Sequence, residues 1–197
     1  MNATAILEMR NITKIYSNGI VANENVNFSV RHGEIHGLIG ENGAGKSTLM
    51  NILFGGQKAD SGSIWLGGKE VSIGSPMQAI ENGIGMVHQH YALVPSMTVA
   101  ENIFLGNEPK KKNGFVDKEE ENRKTKELSE LYNFHLKPSD VVRDLSVGTK
   151  QKIEILKALI RGARILILDE PTAVLTPQET EELFKELELF KKNGHTI

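Results

Sequence analysis

The spacing of hydrophobic and polar positions is typical of strands in some parts of the chain and of helices in others. This pattern predicts an α/β fold. Short runs such as NVNFSV and GSIWL lie within residues 4–35 and 62–73, separated by glycine and asparagine turns. They predict an antiparallel β layer. Residues 35–39 and 165–168 are instead apolar with little alternation, which is typical of parallel strands buried on both faces. We expect these two runs to form the central sheet.

Between the two apolar runs, the pattern from about residue 91 to residue 161 is mostly helical. Asp117 is predicted to begin one helix, whose apolar positions include Leu128 and Leu131. Ser146 is predicted to begin another. The sequence therefore indicates a helical lobe inserted into a core that carries the parallel strands.

Residues 40–48 read GENGAGKST, a complete GxxxxGK(S/T) phosphate loop between a predicted strand and an apolar helical pattern. Its members are Gly40, Glu41, Asn42, Gly43, Ala44, Gly45, Lys46, Ser47 and Thr48. Glycine can take backbone angles closed to other residues, so successive N–H groups can point inward around phosphate oxygens at a helix N-terminus. We expect Gly40, Gly43 and Gly45 to use this freedom.

The side chains of the motif indicate a nucleoside triphosphate with Mg²⁺. In such loops the lysine, here Lys46, reaches the β- and γ-phosphates, and the hydroxyl, here Ser47, binds Mg²⁺. Thr48 is expected to support the α-phosphate through its N–H or its hydroxyl. The run ILILDEP adds Asp169 and Glu170 after an apolar strand. A simple glycine-rich turn before a helix is the structural alternative, and these two acids argue against it.

Composition narrows the class of protein. A chain of 197 residues with 39% hydrophobic residues fits one domain with a sizeable core. The net charge of −2 and a pI near 6.3 disfavour nucleic acid as a partner. Without cysteine there is no thiolate metal site. No segment has the roughly 20 apolar residues needed to span a bilayer, so a membrane role would depend on a partner.

Four motifs occur in a recognisable order: the phosphate loop, a glutamine after GIGMVH, the sequence LSVGTKQ at residues 145–151, and ILILDEP. This order resembles the nucleotide-binding domain of ABC transporters, over essentially the whole chain. The stretches IGMVHQHYALVPSMTVAENIFLG and LSVGTKQKIEILKALIRGARILILDEPTAVLTPQE are most similar to the first ATP-binding half of importers for simple sugars and nucleosides. Within this group, the sequence HQHYALVP is most similar to the nucleoside importers.

The resemblance implies a P-loop NTPase core with a mainly parallel sheet, an antiparallel β layer and an inserted helical signature lobe. It implies one domain over residues 1–197, with the lobe at about 91–161, and it suggests truncation at the C-terminal end. The pattern predicts that a helix ends at Gly194 and that a strand begins after it. His195 lies too early to be the switch histidine of this family.

The resemblance also assigns roles to individual residues. Tyr16 corresponds to an aromatic residue that stacks on adenine, although an ordinary tyrosine at a strand end is the alternative. Gln89 corresponds to the glutamine that senses the γ-phosphate and Mg²⁺. Asp169 is expected to hold Mg²⁺, and Glu170 to orient or deprotonate the attacking water. The implied activity is ATP hydrolysis coupled to uptake of a nucleoside or a simple sugar.

Partners follow from the same resemblance. Ser146 and Gly148 are expected to face the γ-phosphate bound by a second nucleotide-binding domain, supplied by the same longer chain or by a homodimer. Transmembrane permease subunits and, indirectly, an external solute-binding protein complete the system. Nucleic acid is not an expected partner. The expected location is the cytoplasmic face of the cell membrane, as a peripheral subunit.

Departures from the family pattern leave alternatives open. Val147 and Thr149 stand where the signature usually has glycine and glutamine, and Thr176 replaces a common acidic residue. Together with Pro177 and Glu179, Thr176 instead predicts a helix cap. An ATP-binding regulatory half-site with little hydrolysis is one alternative function, and a soluble ABC ATPase outside transport is another. The apolar residues 91–103 suit either docking of a membrane-domain helix or the core of the lobe.

Overall fold

The computed structural model describes residues 5–88 and 92–197. In chain order the elements are β1 (Ala5–Ile15), β2 (Val21–Arg31), α1 (Lys46–Leu53), β3 (Ser61–Leu66), β4 (Lys69–Val71), α2 (Pro76–Glu81), β5 (Ile84–Val87), α3 (Val99–Phe104), α4 (Lys118–Leu131), a 3₁₀ turn (Val142–Asp144), α5 (Val147–Ile160), β6 (Ile165–Leu168) and α6 (Pro177–Lys192).

The chain divides into two compact units. The first unit contains the residues up to Gly85, Arg164–Ile167 and Lys191–Ile197. The second unit contains Met86–Ala163 and Leu168–Phe190, so it includes the predicted lobe and extends beyond it. The single domain over residues 1–197 stays a prediction.

The first unit contains a four-stranded antiparallel sheet in the order β2-β1-β3-β4. Strand β1 is central to it, and its side chains at Leu7 and Met9 are no more than 2% exposed. These two residues lie opposite Leu66 and Ile64 of β3. Alternate residues of a strand face opposite sides of the sheet, so the buried positions lie on one face. The predicted antiparallel layer is confirmed.

Strands β5 and β6 form a second sheet. The N–H of Ile165 donates to the carbonyl of Gly83 at 3.0 Å, and the N–H of Asp169 donates to the carbonyl of Val87 at 3.1 Å. Because the residue numbers increase in the same direction along both strands from one hydrogen bond to the next, β5 and β6 run parallel. The prediction of a buried parallel strand is therefore confirmed for β6, while β5 was not predicted as a strand.

Residues 35–39 do not form the buried strand that the sequence predicts. Ile39 is 94% exposed and Leu38 is 37% exposed. The N–H of His36 donates to the carbonyl of Ile197 at 2.7 Å, and the N–H of Ile197 donates to the carbonyl of Glu34 at 2.9 Å. An apolar run forms a strand only where the backbone of a neighbouring segment pairs with it through hydrogen bonds. Here the described pairing with Ile197 ends at His36, so the residues after His36 have no described strand partner.

Helix starts in the second unit lie where the sequence places them. The carboxylate of Asp117 accepts the N–H of Glu120 and caps α4, and the hydroxyl of Ser146 caps α5. The expected apolar face of α4 is wrong, because its buried residues are Glu121, Thr125 and Ser129. The hydroxyl of Ser129 accepts the N–H of Leu136 at 2.7 Å. This bond joins the last turn of α4 to the segment that follows the chain reversal.

Apolar side chains of α3 and α6 fill the core of the second unit. Val99, Ala100 and Ile103 are no more than 2% exposed, so at these positions the apolar stretch is core. In α6 the residues Leu183, Leu187 and Phe190 are buried. Gly194, where the helix was predicted to end, follows with a φ of 87°. Among the described residues, no helix combines the length and apolar character needed to cross a membrane.

Candidate functional site

Two glycines of the phosphate loop need their special backbone angles. Gly43 has a φ of 83° and Gly45 a φ of 84°. At Gly45 an added Cβ would lie 2.1 Å from the carbonyl oxygen of Ala22, so strand β2 also excludes a side chain there. The expectation for Gly40 is wrong, because its φ is not positive and a Cβ there would meet Ala44 at an ordinary 3.5 Å.

Helix α1 begins at Lys46 without a side-chain cap and without an acidic residue in its first turn. Its N-terminus therefore keeps the partial positive charge of the backbone N–H groups. The ammonium of Lys46 donates to the carbonyls of Gly40 at 2.7 Å and Glu41 at 2.8 Å. The lysine thus lies across the loop and adds a full positive charge. This combination is suited to binding a phosphate group.

Asn23 supports the loop from strand β2, and no motif in the sequence points to it. Its amide nitrogen donates to the carbonyl of Gly45 at 3.3 Å. The residue is 6% exposed, and its amide oxygen has no hydrogen-bond partner among the described residues. The bond connects residues 22 positions apart. Asn23 therefore holds the turn that precedes α1.

Tyr16 lies beside the start of α1. Its hydroxyl donates to the side-chain oxygen of Gln57 at 3.0 Å and lies 3.2 Å from the hydroxyl oxygen of Thr48. The bond with Thr48 is the largest cause that lowers the pKa of Tyr16. The structure thus brings Tyr16 to the phosphate loop, and its stacking on adenine stays a prediction. Gln57 is a second residue that no sequence motif identifies.

Asp169 and Glu170 follow β6 in the second unit, as the sequence predicts. Glu170 is exposed and has a φ of 48°, a left-handed conformation that costs a residue other than glycine about 1–2 kcal/mol. Such strain often accompanies functional positions. Both acids border a cavity of about 10 Å³ together with His88 and Gln151. This volume is close to that of one water molecule.

The predicted signature residues lie at the start of α5. The hydroxyl of Ser146 accepts the N–H of Thr149 at 3.2 Å and lies 2.9 Å from its hydroxyl oxygen. Gly148 is buried, and a Cβ there would lie 3.1 Å from a carboxylate oxygen of Glu179. The roles of Ser146 and Gly148 toward a second nucleotide stay predictions.

The prediction that Thr176 caps a helix is confirmed. Its N–H and its hydroxyl both donate to one carboxylate oxygen of Glu179 at 2.9 Å. The N–H of Glu179 donates back to the Thr176 hydroxyl at 3.3 Å, and Pro177 is the first residue of α6. This reciprocal arrangement is a capping box. The N–H of Thr176 is the main reason why the pKa of Glu179 is lowered.

The predicted metal ligands belong to different parts of the chain. Ser47 belongs to the first unit and Asp169 to the second, and Gln89 lies outside the described residues. In residues 5–88 and 92–197 no group of three His, Asp or Glu side chains forms a metal site. A hydroxyl, a carboxylate and an amide oxygen are nevertheless the hard oxygen ligands that Mg²⁺ prefers. The predicted set therefore fits Mg²⁺ by its chemistry.

The glycine angles, the uncapped helix and Lys46 define a phosphate-loop protein. A family model for the ABC transporter matches residues 23–173. The chain belongs to the ABC transporter family. It is also similar to a crystal structure of the ADP conformation of MJ1267, an ATP-binding cassette of an ABC transporter. The TM-score is 0.85 and the identity is 29%, covering 98% of this chain and 79% of the other.

Two curated relatives are named for nucleoside import. The chain is 52% identical to the guanosine import ATP-binding protein NupO of Bacillus subtilis, over 98% of this chain and 37% of that protein. It is 50% identical to the nucleoside import ATP-binding protein NupA of Lactococcus lactis, over 98% of this chain and 38% of that protein. The predicted family resemblance and fold class are confirmed. The chain spans a little over a third of these relatives.

Proposed function

We propose that the chain is the ATP-binding and ATP-hydrolysing part of an ABC importer for a nucleoside or a simple sugar. The observation that carries the proposal is the N-terminus of α1, which has no side-chain cap and has the Lys46 ammonium lying across the preceding loop. The phosphates of ATP bind there, where N–H groups and a lysine offset their charge. The names of the relatives NupO and NupA support a nucleoside as the solute.

Charge stabilisation is the main contribution of this chain to catalysis. Attack on the γ-phosphate spreads negative charge over its oxygens, and Lys46 and the loop N–H groups stabilise that charge. Ser47, Gln89 and Asp169 would hold Mg²⁺, which neutralises phosphate charge when it is bound. Other preorganised donors of this kind contribute about 3 kcal/mol each to lowering a barrier.

Glu170 is the residue that prepares the attacking water. Its carboxylate accepts a proton or a hydrogen bond from water, and the small cavity beside it has room for about one such molecule. The left-handed backbone at Glu170 holds its side chain at the end of β6 despite the strain. Replacement of the carboxylate by an amide would keep the shape and remove the base.

A second nucleotide-binding domain completes the site in this proposal. Ser146 at the start of α5 faces the γ-phosphate of ATP held by that domain, and ATP joins the two domains until it is hydrolysed. The whole assembly includes membrane permease subunits, with this part at the cytoplasmic face of the membrane. An external solute-binding protein delivers the solute.

A regulatory half-site with little hydrolysis is the second candidate. The observation that favours it is the burial of Gly148 beside Glu179, because a contact between Gly148 and a second nucleotide requires the first turn of α6 to move. In this case the chain binds ATP through α1 and controls a partner domain. Its hydrolysis rate then stays near background at every protein concentration.

The test is Mg²⁺-dependent ATP hydrolysis over a range of concentrations of the chain. We expect the rate per chain to rise with concentration, and Glu170→Gln to bind ATP but hydrolyse it at least about 100 times more slowly. Glu119→Gln, an exposed position on α4, is the control and keeps the wild-type rate. Hydrolysis by Glu170→Gln at the wild-type rate would refute the role of Glu170, and a flat background rate would favour the half-site.

A further inference from the structure

The hydroxyl of Tyr16 makes two hydrogen bonds, and their directions follow from its single hydrogen. That hydrogen is donated to the side-chain oxygen of Gln57. The Tyr16 oxygen must then accept in its other bond, so the hydroxyl of Thr48 donates to it across 3.2 Å. The only hydroxyl hydrogen of Thr48 is therefore used by Tyr16. This leaves the backbone N–H as the group through which Thr48 contacts a phosphate.

The segment that carries Gln57 is itself tied to the end of β1. The carboxylate of Asp60 accepts the N–H of Ile15 at 2.6 Å, and the N–H of Asp60 donates to the carbonyl of Thr13 at 2.9 Å. The ammonium of Lys14 lies 3.4 Å from the other carboxylate oxygen of Asp60. These bonds hold Asp60 against the strand end, and the N–H of Gln57 donates to the carbonyl of Asn51 at 3.2 Å. Gln57 therefore offers its acceptor from a fixed position.

We propose that Gln57 is a positioning residue for the Tyr16 ring. By accepting the hydroxyl hydrogen of Tyr16, it orients the ring and leaves the Tyr16 oxygen to accept from Thr48 of the phosphate loop. The inference rests on the proposed binding of ATP. A half-buried tyrosine whose hydroxyl is fixed at two points presents its ring in one orientation. Stacking of an aromatic base on such a ring depends on that orientation. Gln57 thus acts on the base end of the nucleotide through Tyr16, and it has no contact with the phosphates.

A merely structural role for Gln57 makes a different prediction. Loss of a brace in the fold would weaken the binding of every ligand of the phosphate loop by a similar factor. Loss of ring orientation would weaken ATP and leave inorganic tripolyphosphate unaffected, because tripolyphosphate has no base to stack. The ratio of the two affinities therefore separates the two roles.

The experiment measures the affinities of the chain for ATP and for inorganic tripolyphosphate by calorimetry. We expect Gln57→Leu to weaken ATP binding about tenfold, which is the effect of one lost hydrogen bond, and to leave tripolyphosphate unchanged. Gln57→Glu keeps the acceptor oxygen and adds a negative charge that acts on both ligands, so its ratio of ATP to tripolyphosphate affinity is expected to stay within about twofold of the wild-type ratio. Tyr16→Phe keeps the ring but removes the bonds to both Gln57 and Thr48, so it is expected to weaken ATP binding at least as much as Gln57→Leu.

The double variant Tyr16→Phe with Gln57→Leu adds a further test. Because Tyr16→Phe already removes the hydrogen bond to Gln57, the ATP affinity of the double variant should equal that of Tyr16→Phe alone. Equal losses of ATP and tripolyphosphate affinity, or additive losses in the double variant, would overturn the positioning role. Wild-type ATP affinity in Gln57→Leu would also overturn it and leave the proposed function standing. Absence of ATP binding by the wild-type chain would overturn both.

Discussion

The start of α1 in the first unit and the starts of α5 and α6 in the second unit differ in how their backbone N–H groups are satisfied. Helix α1 follows Gly45 and has no side-chain cap. Helix α5 is capped by Ser146, and α6 is preceded by the capping box of Thr176 and Glu179. The starts of α1 and α5 lie in motifs that resemble nucleotide-contacting segments, whereas the start of α6 was predicted only as a helix cap. Of these three helix starts, only α1 lacks a capping side chain at the residue before it.

A binding site and a stable helix end use the first backbone N–H groups of a helix differently. A cap supplies an acceptor from the chain itself and stabilises the helix by about 1 kcal/mol. An uncapped N-terminus gives up this stabilisation and keeps its donors for an anion. Phosphate binding within the chain is therefore expected at α1. The Ser146 hydroxyl accepts the N–H of Thr149, and its own hydrogen can be donated to a nucleotide when the Thr149 hydroxyl donates to Ser146.

The largest expected effect is that of a side chain at Gly45. Gly45→Ala places a Cβ 2.1 Å from the carbonyl oxygen of Ala22 in a left-handed conformation, so we expect the free energy of unfolding to fall by about 3 kcal/mol or more. Gly43→Ala is the matched control, because it has the same backbone strain and nothing within 4 Å of its Cβ. It should cost only about 1–2 kcal/mol. Urea unfolding measures both, and equal losses would contradict the steric argument.

Removal of the cap of α5 tests the comparison between the capped start of α5 and the uncapped start of α1. Ser146→Ala is expected to lower the free energy of unfolding by about 1 kcal/mol, while Ser146→Asn keeps a capping acceptor and stays near the wild type. Because the cap is not part of the start of α1, the ATP affinity of the single chain should not change in either variant. Thermal unfolding and ATP titration test the two statements. A tenfold loss of ATP affinity in Ser146→Ala would contradict the distinction between capped and uncapped helix ends.

A slightly smaller effect is expected from relief of the strain at Glu170. Glycine adopts a positive φ without the steric cost, so Glu170→Gly should raise the free energy of unfolding by about 1 kcal/mol, after its larger loss of chain entropy is included. Glu170→Gln keeps the strain and should leave stability unchanged. Chemical unfolding distinguishes them. A destabilised Glu170→Gly would show that contacts of the Glu170 side chain outweigh its backbone strain.

The smallest effect concerns the pH dependence of the α6 cap. The pKa of Glu179 is lowered from its ordinary value of 4.5, mainly by the N–H of Thr176. A carboxyl group with a lowered folded-state pKa contributes stability that is present above pH 4.5 and is lost as the pH falls through the folded pKa. Melting temperatures of Glu179→Gln should therefore fall less steeply below pH 4.5 than those of the wild type. Parallel curves would contradict this contribution of the cap.

The parts of the fold that the sequence predicts correctly depend on neighbouring residues. Caps at Asp117, Ser146 and Thr176 join residues three positions apart, and the turns at Gly43 and Gly45 follow from the need of glycine for a positive φ. Such features depend little on the rest of the chain. This is why the phosphate loop and the helix starts were predictable.

The missed features depend on distant residues. Whether residues 35–39 form a strand depends on a partner strand, and the described pairing with Ile197 ends at His36. Asn23 and Gln57 act on residues 22 and 41 positions away, and neither belongs to a motif. The inward turn of the polar row on α4 follows from packing within the second unit, which hydrophobic period alone does not reveal.

The most direct test of the central claim is equilibrium binding of Mg²⁺–ATP to the wild-type chain and to Lys46→Ala. We expect saturable binding of one ATP per chain, weakened at least about tenfold in Lys46→Ala by the loss of a charge-assisted contact. Lys69→Ala, at an exposed position of β4, is the control and should bind as the wild type does. Equal affinities of Lys46→Ala and the wild type would contradict phosphate binding at the start of α1.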